Sequence, residues 1–123
     1  MSNLVSNLMK ATGKIDYLEL PAIGATLDRT KAFYSRAFGW TFTDYGPTYA
    51  AFNEGLDGGF HAEATEAPAA PLPVLYAEDL EACLDAVKAA GGSIVRPIYS
   101  FPGGRRFHFR DPAANELAVW SQT

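Results

Sequence analysis

The sequence predicts an α+β domain made of one pattern used twice: strand, helix, three strands, then the same again. Three observations carry this. Two amphipathic helical stripes end at Phe38-Gly39 and at Ala90-Gly91, at corresponding places in the two halves. The pattern therefore repeats with a period of about 55 to 60 residues. Each helix follows one strand-like run and precedes a series of short runs broken by Gly, Pro and Asp. Each half closes on a hairpin. The reading gives modules over 14–63 and 72–122 in one domain, 14–122, with an Ala- and Pro-rich crossover at 64–71.

Residues 1–13 hold Leu4, Val5, Leu8 and Met9, a spacing that suits either a short amphipathic helix stopped by Gly13 or a loose arm. Residues 14–20 form a strand, with Leu18 and Leu20 on one face and Ile15, Tyr17 and Glu19 on the other. A helix over 27–38 takes Thr26 as its N-cap and Gly39 as its left-handed C-cap. Its stripe is Leu27, Thr30, Tyr34, Ala37 and Phe38, flanked by Phe33; Phe33, Phe38 and Trp40 read as core. Strands follow at 40–45, 48–53 and 58–63, separated by Gly46-Pro47 and by a turn at 54–57. Residues 72–77 form the next strand. Asp79 caps a helix over 80–90 that buries Leu80, Cys83, Leu84 and Val87 and stops at Gly91-Gly92. The last strands are 93–96, 105–111 and 115–122, with a loop at 98–104.

The final hairpin has a definite register. Asp111-Pro112 through Asn115 is turn chemistry, with Asn the residue that tolerates the left-handed conformation. That pairs Arg110 with Glu116, Phe109 with Leu117, His108 with Ala118, Phe107 with Val119 and Arg106 with Trp120. One face then carries Phe107, Phe109, Leu117 and Val119. The other carries Arg106, His108, Arg110, Glu116, Ala118 and Trp120, as a wetted cleft requires. A slip of one residue would expose the apolar set.

Bulk properties narrow the classes. The 123 residues suit one domain with a core of its own, and 48% hydrophobic with 20% charged residues is ordinary for a globular chain. A net charge of −4 without a basic run argues against nucleic acid as partner. The single Cys83 excludes an intrachain disulfide and suits a reducing compartment. No apolar run has the length of a membrane span, and the start lacks a signal-peptide pattern, so no membrane is expected and the expected location is cytoplasmic.

The ordered words Phe33-Tyr34, Phe38-Gly39-Trp40, Asp79-Leu80, Gly91-Gly92 and Asp111-Pro112 to Glu116 resemble the vicinal oxygen chelate superfamily. That superfamily includes glyoxalase I, bleomycin-resistance proteins and extradiol dioxygenases. The likeness spans residues 14–122, and the words are specific together rather than singly. It implies two βαβββ modules whose mixed sheet curves around one cleft with the helices on the convex side, and homodimers built through paired modules. It also implies metal-ligand positions that read onto this chain at Tyr17, at Leu72, near Phe60 and at Ala118. None supplies the His or Glu of the metal-binding members, so no metal ligand is assigned and no cofactor is expected. A divalent metal would need a non-standard site from Glu19, His61 and His108.

The candidate acids and bases are Glu19, His61 and His108, and His108 faces the cleft in this register. A strand histidine bonded to a neighbour is the competing reading. The candidate ligand contacts are Tyr17, Phe60, Arg106, Arg110 and Trp120, which suit an aromatic or anionic small molecule. Arg110 with Glu116 also reads as a plain cross-strand ion pair, and Arg106 beside Trp120 as a cation–π pair. Two functions follow: a lyase- or isomerase-like enzyme acting on a small organic substrate, or a protein of the bleomycin-resistance type that binds or sequesters its ligand without chemistry.

Overall fold

The computed structural model describes residues 10–123, with eight strands and two helices among them. The helix-or-arm reading of the N-terminal stretch rests on residues that lie outside this range. The chain divides into two compact units, Tyr17–Leu72 and Pro73–Thr123, the second taking in the stretch that ends at Asp16.

The first module runs β1 (Ile15–Pro21), α1 (Thr26–Phe38), β2 (Thr43–Asp44), β3 (Tyr49–Asn53) and β4 (Asp57–His61). β1 pairs in parallel with β4, β4 antiparallel with β3, and β3 antiparallel with β2. The second runs β5 (Leu72–Tyr76), α2 (Leu80–Ala89), β6 (Ser93–Phe101), β7 (Gly104–Arg110) and β8 (Glu116–Ser121). β5 pairs in parallel with β8, β8 antiparallel with β7, and β7 antiparallel with β6. The pairing scheme of one module is that of the other, strand for strand. This is the α+β, twice-used βαβββ architecture.

Each helix buries its stripe on one face of its own strands. Leu27, Ala50, Phe52 and Phe60 form the core of the first module, with Leu20, Tyr34, Trp40 and Phe42 packed against them. Leu80, Phe107 and Val119 form that of the second, joined by Cys83, Leu84, Val87, Ile94, Ile98 and Phe109. Two expectations about α1 change. Phe33 and Phe38 are 56% and 65% exposed rather than core. Thr26 is the first helical residue, and its hydroxyl donates to the Ile23 carbonyl instead of capping. α2 starts as expected, with the Asp79 carboxylate accepting from the Ala82 N–H at 3.0 Å.

The hairpin of β7 and β8 has the expected register at every pair from Arg106–Trp120 to Arg110–Glu116. Its turn differs in detail. Asp111 Oδ1 accepts from the N–H groups of Ala113 and Asn115, and the left-handed residue is Ala114 (φ 67°), not Asn115. A larger change is β6, which continues to Phe101 where a loop was expected.

Candidate functional site

The face of the second module opposite α2 carries a connected polar group. β7 contributes Arg106 and His108, since Phe107 between them faces the core. β8 contributes Glu116, Ala118 and Trp120 by the same alternation. β6 contributes Arg96 and Tyr99, which three-residue spacing would place on opposite faces of a regular strand. Two register shifts against β7, between Ile94 and Arg96 and between Arg96 and Tyr99, bring both to one side. Arg96 lies opposite His108, Tyr99 opposite Arg106, and the Arg96 guanidinium stacks 3.5 Å over the Tyr99 ring.

His108 is the hub, 6% exposed. Its Nδ1 lies 3.1 Å from Glu116 Oε2 and its Nε2 lies 2.9 Å from the Tyr99 hydroxyl. A carboxylate accepts only, so Nδ1–H donates to Glu116 and the neutral ring accepts from Tyr99 at Nε2. Arg106 Nε–H in turn donates to the Tyr99 oxygen. The result is a directed chain, Arg106 to Tyr99 to His108 to Glu116. Burial holds the His108 pKa below its ordinary 6.5; the Glu116 hydrogen bond opposes this, and the charges of Arg106 and Arg96 add to it. The ring is therefore a free base at neutral pH. Glu116 also meets Arg110, Nη2 to Oε1 at 3.6 Å, at a half-exposed position.

Around this chain lies an aromatic border. Arg106 lies 5.6 Å from the Tyr99 ring centroid and 5.8 Å from that of Phe101. Phe101 and Tyr76 both meet the Trp120 indole edge-on. The Trp120 N–H donates to Asp16 at 2.9 Å, and Lys10 Nζ lies 5.4 Å over its ring.

The first module has its own polar group on the face opposite α1. Tyr17 and Glu19 come from β1, Tyr49 from β3, and Gly59 and His61 from β4. Tyr49 O–H donates to Glu19 Oε2 at 3.4 Å, and the Tyr17 and Tyr49 hydroxyls are hydrogen-bonded to each other. Glu19 is 3% exposed, so these phenols help to solvate a buried carboxylate. Gly59 makes room for the Tyr49 ring, because a Cβ there would lie 2.3 Å from its hydroxyl oxygen. His61 packs edge-on to Tyr49, and its Nδ1 accepts from the Glu63 N–H at 3.2 Å.

One candidate is corrected outright. Phe60 is 3% exposed, packed among Tyr34, Phe42 and Phe52 on the helix side, so it cannot touch a ligand on the polar face. Arg106, His108 and Trp120 share the polar face of the second module, with Arg110 at its rim. Tyr17, Glu19 and His61 share that of the first. Sequence reasoning missed Tyr99, Arg96 and Tyr49, and it placed Glu116 on the polar face and beside Arg110 without pairing it to His108. Cys83 is half-buried against the core of the second module, and burial pushes its thiol above the ordinary value, which suits packing and not a nucleophile. The depression of ≈ 330 Å³ on α1, lined by Thr26, Arg29, Thr30, Phe33 and Tyr34, holds no carboxylate, histidine or thiol.

The donor set does not fit a catalytic divalent ion. At the positions the likeness points to, the Tyr17 phenol is bonded to Tyr49, and Leu72 and Ala118 are buried side chains without a donor atom. Beside Phe60, which faces the helix side, the polar face carries Gly59 and His61, whose Nδ1 accepts from the Glu63 N–H. Among the described residues no three His, Cys, Asp or Glu side chains gather as a metal would need. Also among them, no helix is long and apolar enough to cross a membrane.

Comparison with known proteins agrees with the architecture. The family model of the Glyoxalase/Bleomycin resistance protein/Dioxygenase superfamily matches residues 14–119. No curated protein sequence matches the chain. Among solved structures, methylmalonyl-CoA epimerase from Mycobacterium tuberculosis superposes with TM-score 0.69 at 11% identity, over 94% of this chain and 91% of that one. The structure described as NAD-dependent benzaldehyde dehydrogenase from Legionella pneumophila gives 0.67 at 16%, over 86% and 99%. The Mn(II)-bound glyoxalase from Novosphingobium aromaticivorans gives 0.63 at 20%, over 93% of this chain but only 40% of that longer one. At these identities the likeness shows the fold alone.

Proposed function

The chain belongs to the glyoxalase/bleomycin resistance protein/dioxygenase superfamily, and we propose that it binds a small organic anion on the polar face of its second module and acts on it by proton transfer, without the metal centre of its metal-binding relatives. One observation carries this reading: a buried, uncharged His108 fixed between Glu116 and Tyr99, beside Arg106 and Arg96. Guanidiniums recognise a carboxylate in a directional way. The rings of Phe101 and Trp120 offer an apolar flank. A base that is neutral at physiological pH suits an isomerase-like exchange of one proton. The epimerase among the structural neighbours is in keeping with this class, and a cytoplasmic location is part of the same proposal.

Ligand chemistry supports the metal-free part. A catalytic zinc, nickel or iron site takes about three imidazole, carboxylate or thiolate groups from the protein. The corresponding positions here are the Tyr17 phenol, the Leu72 and Ala118 hydrocarbon side chains, and Gly59 or His61 beside Phe60, so at most one of them is an imidazole or carboxylate.

The test is a titration of intrinsic fluorescence with benzoate, with Trp120→Phe as the control that removes the signal. Saturable quenching is expected, with affinity at least about tenfold lower in Arg106→Gln, equivalent to about 1.4 kcal/mol. Absence of saturable binding to benzoate and to a panel of aliphatic carboxylates would overturn the reading. Binding without any turnover of an enolisable analogue would favour the sequestering alternative.

A further inference from the structure

We propose that Tyr99 is the residue that meets the bound anion, and that its phenol relays a proton between that molecule and His108. This rests on the small-molecule reading above and goes further by naming the group that does the exchange. His108 is 6% exposed, and its Nε2 lies 2.9 Å from the hydroxyl of Tyr99, which is half-buried. A molecule on this face therefore reaches the imidazole through the phenol. The two irregularities in β6 serve this arrangement: in a regular strand Tyr99 would face away from Arg96.

The hydrogen bonds already point in the direction the relay needs. Arg106 donates to the Tyr99 oxygen, Tyr99 donates to His108 Nε2, and Nδ1–H is held by Glu116. A C–H proton of the bound anion passes to the Tyr99 oxygen as the Tyr99 proton passes to Nε2. The C–H electron pair stays on the substrate as an enolate, and the proton stays on the imidazolium. Reversal returns a proton to carbon, so no oxidant, reductant or second substrate is required. Negative charge that develops on the phenol faces Arg106 from β7 and Arg96 from β6. The imidazolium faces Glu116 from β8, whose other oxygen meets Arg110.

The test has a ligand-free arm and a ligand arm. The chain has two histidines, so ¹⁵N-histidine NMR resolves His108 from His61. Wild type is expected to show the Nδ1–H tautomer at His108, with an Nε2 resonance that moves in Tyr99→Phe. Phenylpyruvate, which combines a carboxylate, an aromatic ring and an acidic C–H, is the probe for exchange. Deuterium incorporation at its benzylic carbon in D₂O should exceed the buffer rate in wild type. It should fall by about a hundredfold in Tyr99→Phe, and likewise in His108→Gln. An Nε2–H tautomer, or a His108 spectrum untouched by Tyr99→Phe, overturns the relay. So does exchange at the buffer rate in protein that binds benzoate, or exchange that survives in Tyr99→Phe. Loss of benzoate binding in wild type would instead count against the reading beneath it.

Discussion

His108 is kept as a neutral imidazole by its surroundings, and that has a measurable consequence for stability. Burial is the main cause of its depressed pKa, with Arg106 and Arg96 adding to it against Glu116. The unfolded chain protonates this ring near 6.5, whereas the folded chain resists to a lower pH. Below about 6.5 the unfolded state therefore binds more protons, and stability falls as pH falls until the folded pKa is reached. Above 6.5 the contribution is complete. In urea melts at a series of pH values, wild type should lose stability more steeply between pH 6.5 and 5 than His108→Gln does. Parallel curves for the two proteins would show that the ring is not held neutral. At this scale the sequence was a good guide where alternation decided the matter. His108 and Arg106 share a face because Phe107 must go inward. It was a poor guide where chemistry depends on a partner distant in sequence, as for Tyr49 beside Glu19. The turn shows the same limit: residue preference favoured Asn115 for the left-handed position, but the Asp111 carboxylate draws in the N–H groups of Ala113 and Asn115 and leaves that position to Ala114.

β6 was the element hardest to read, for a physical reason. Pro97 stops a regular interior strand, so residue preference ends the run there. In the structure the second irregularity of β6 takes up Pro97, and β6 pairs with β7 alone within its module. The strand therefore survives the missing N–H and delivers Tyr99 to the polar face. The turn that follows, Pro102-Gly103, brings Phe101 opposite Gly104. Gly104 has φ +150°, and a Cβ there would lie 2.0 Å from the Ser121 carbonyl oxygen, a backbone atom that no rotamer change can move. Gly104→Ala should therefore cost at least about 2 kcal/mol, through backbone strain and forced separation of β7 from β8. Urea denaturation with an unchanged m-value would report it. A variant within about 0.5 kcal/mol of wild type would mean the β7–β8 contact is looser than described. α2 and β8 were legible because cap and alternation agree there, at Asp79 and in the paired hairpin, whereas α1 lacks its expected Thr26 cap and the strand expected over 40–45 shortens to Thr43–Asp44.

At the scale of the whole molecule the duplication was the most readable feature, because it rests on the order of many weak signals and not on any one. What the pattern hid was the outward side of α1. Phe33 and Phe38 follow the helical stripe, yet they are 56% and 65% exposed, and Ile23 just before the helix is 48% exposed. Phe33 packs edge-on to Tyr34 and Phe38, so these rings form one apolar patch and not scattered residues. Periodicity reports that a face is apolar; it cannot say whether the chain itself covers it. Asp28, Arg29 and Arg36 on the same helix carry both signs of charge. Two copies related by a two-fold axis can thus offer each other opposite charges around an apolar centre. We therefore expect a homodimer that uses α1. Light scattering at micromolar concentration should return twice the 13.3 kDa chain mass. Phe33→Glu together with Phe38→Glu should return the single-chain mass with the fold retained, because both side chains are mostly exposed within one chain. Wild type at the single-chain mass across the concentration range would refute the dimer, and a dimer untouched by the double substitution would move its interface away from α1.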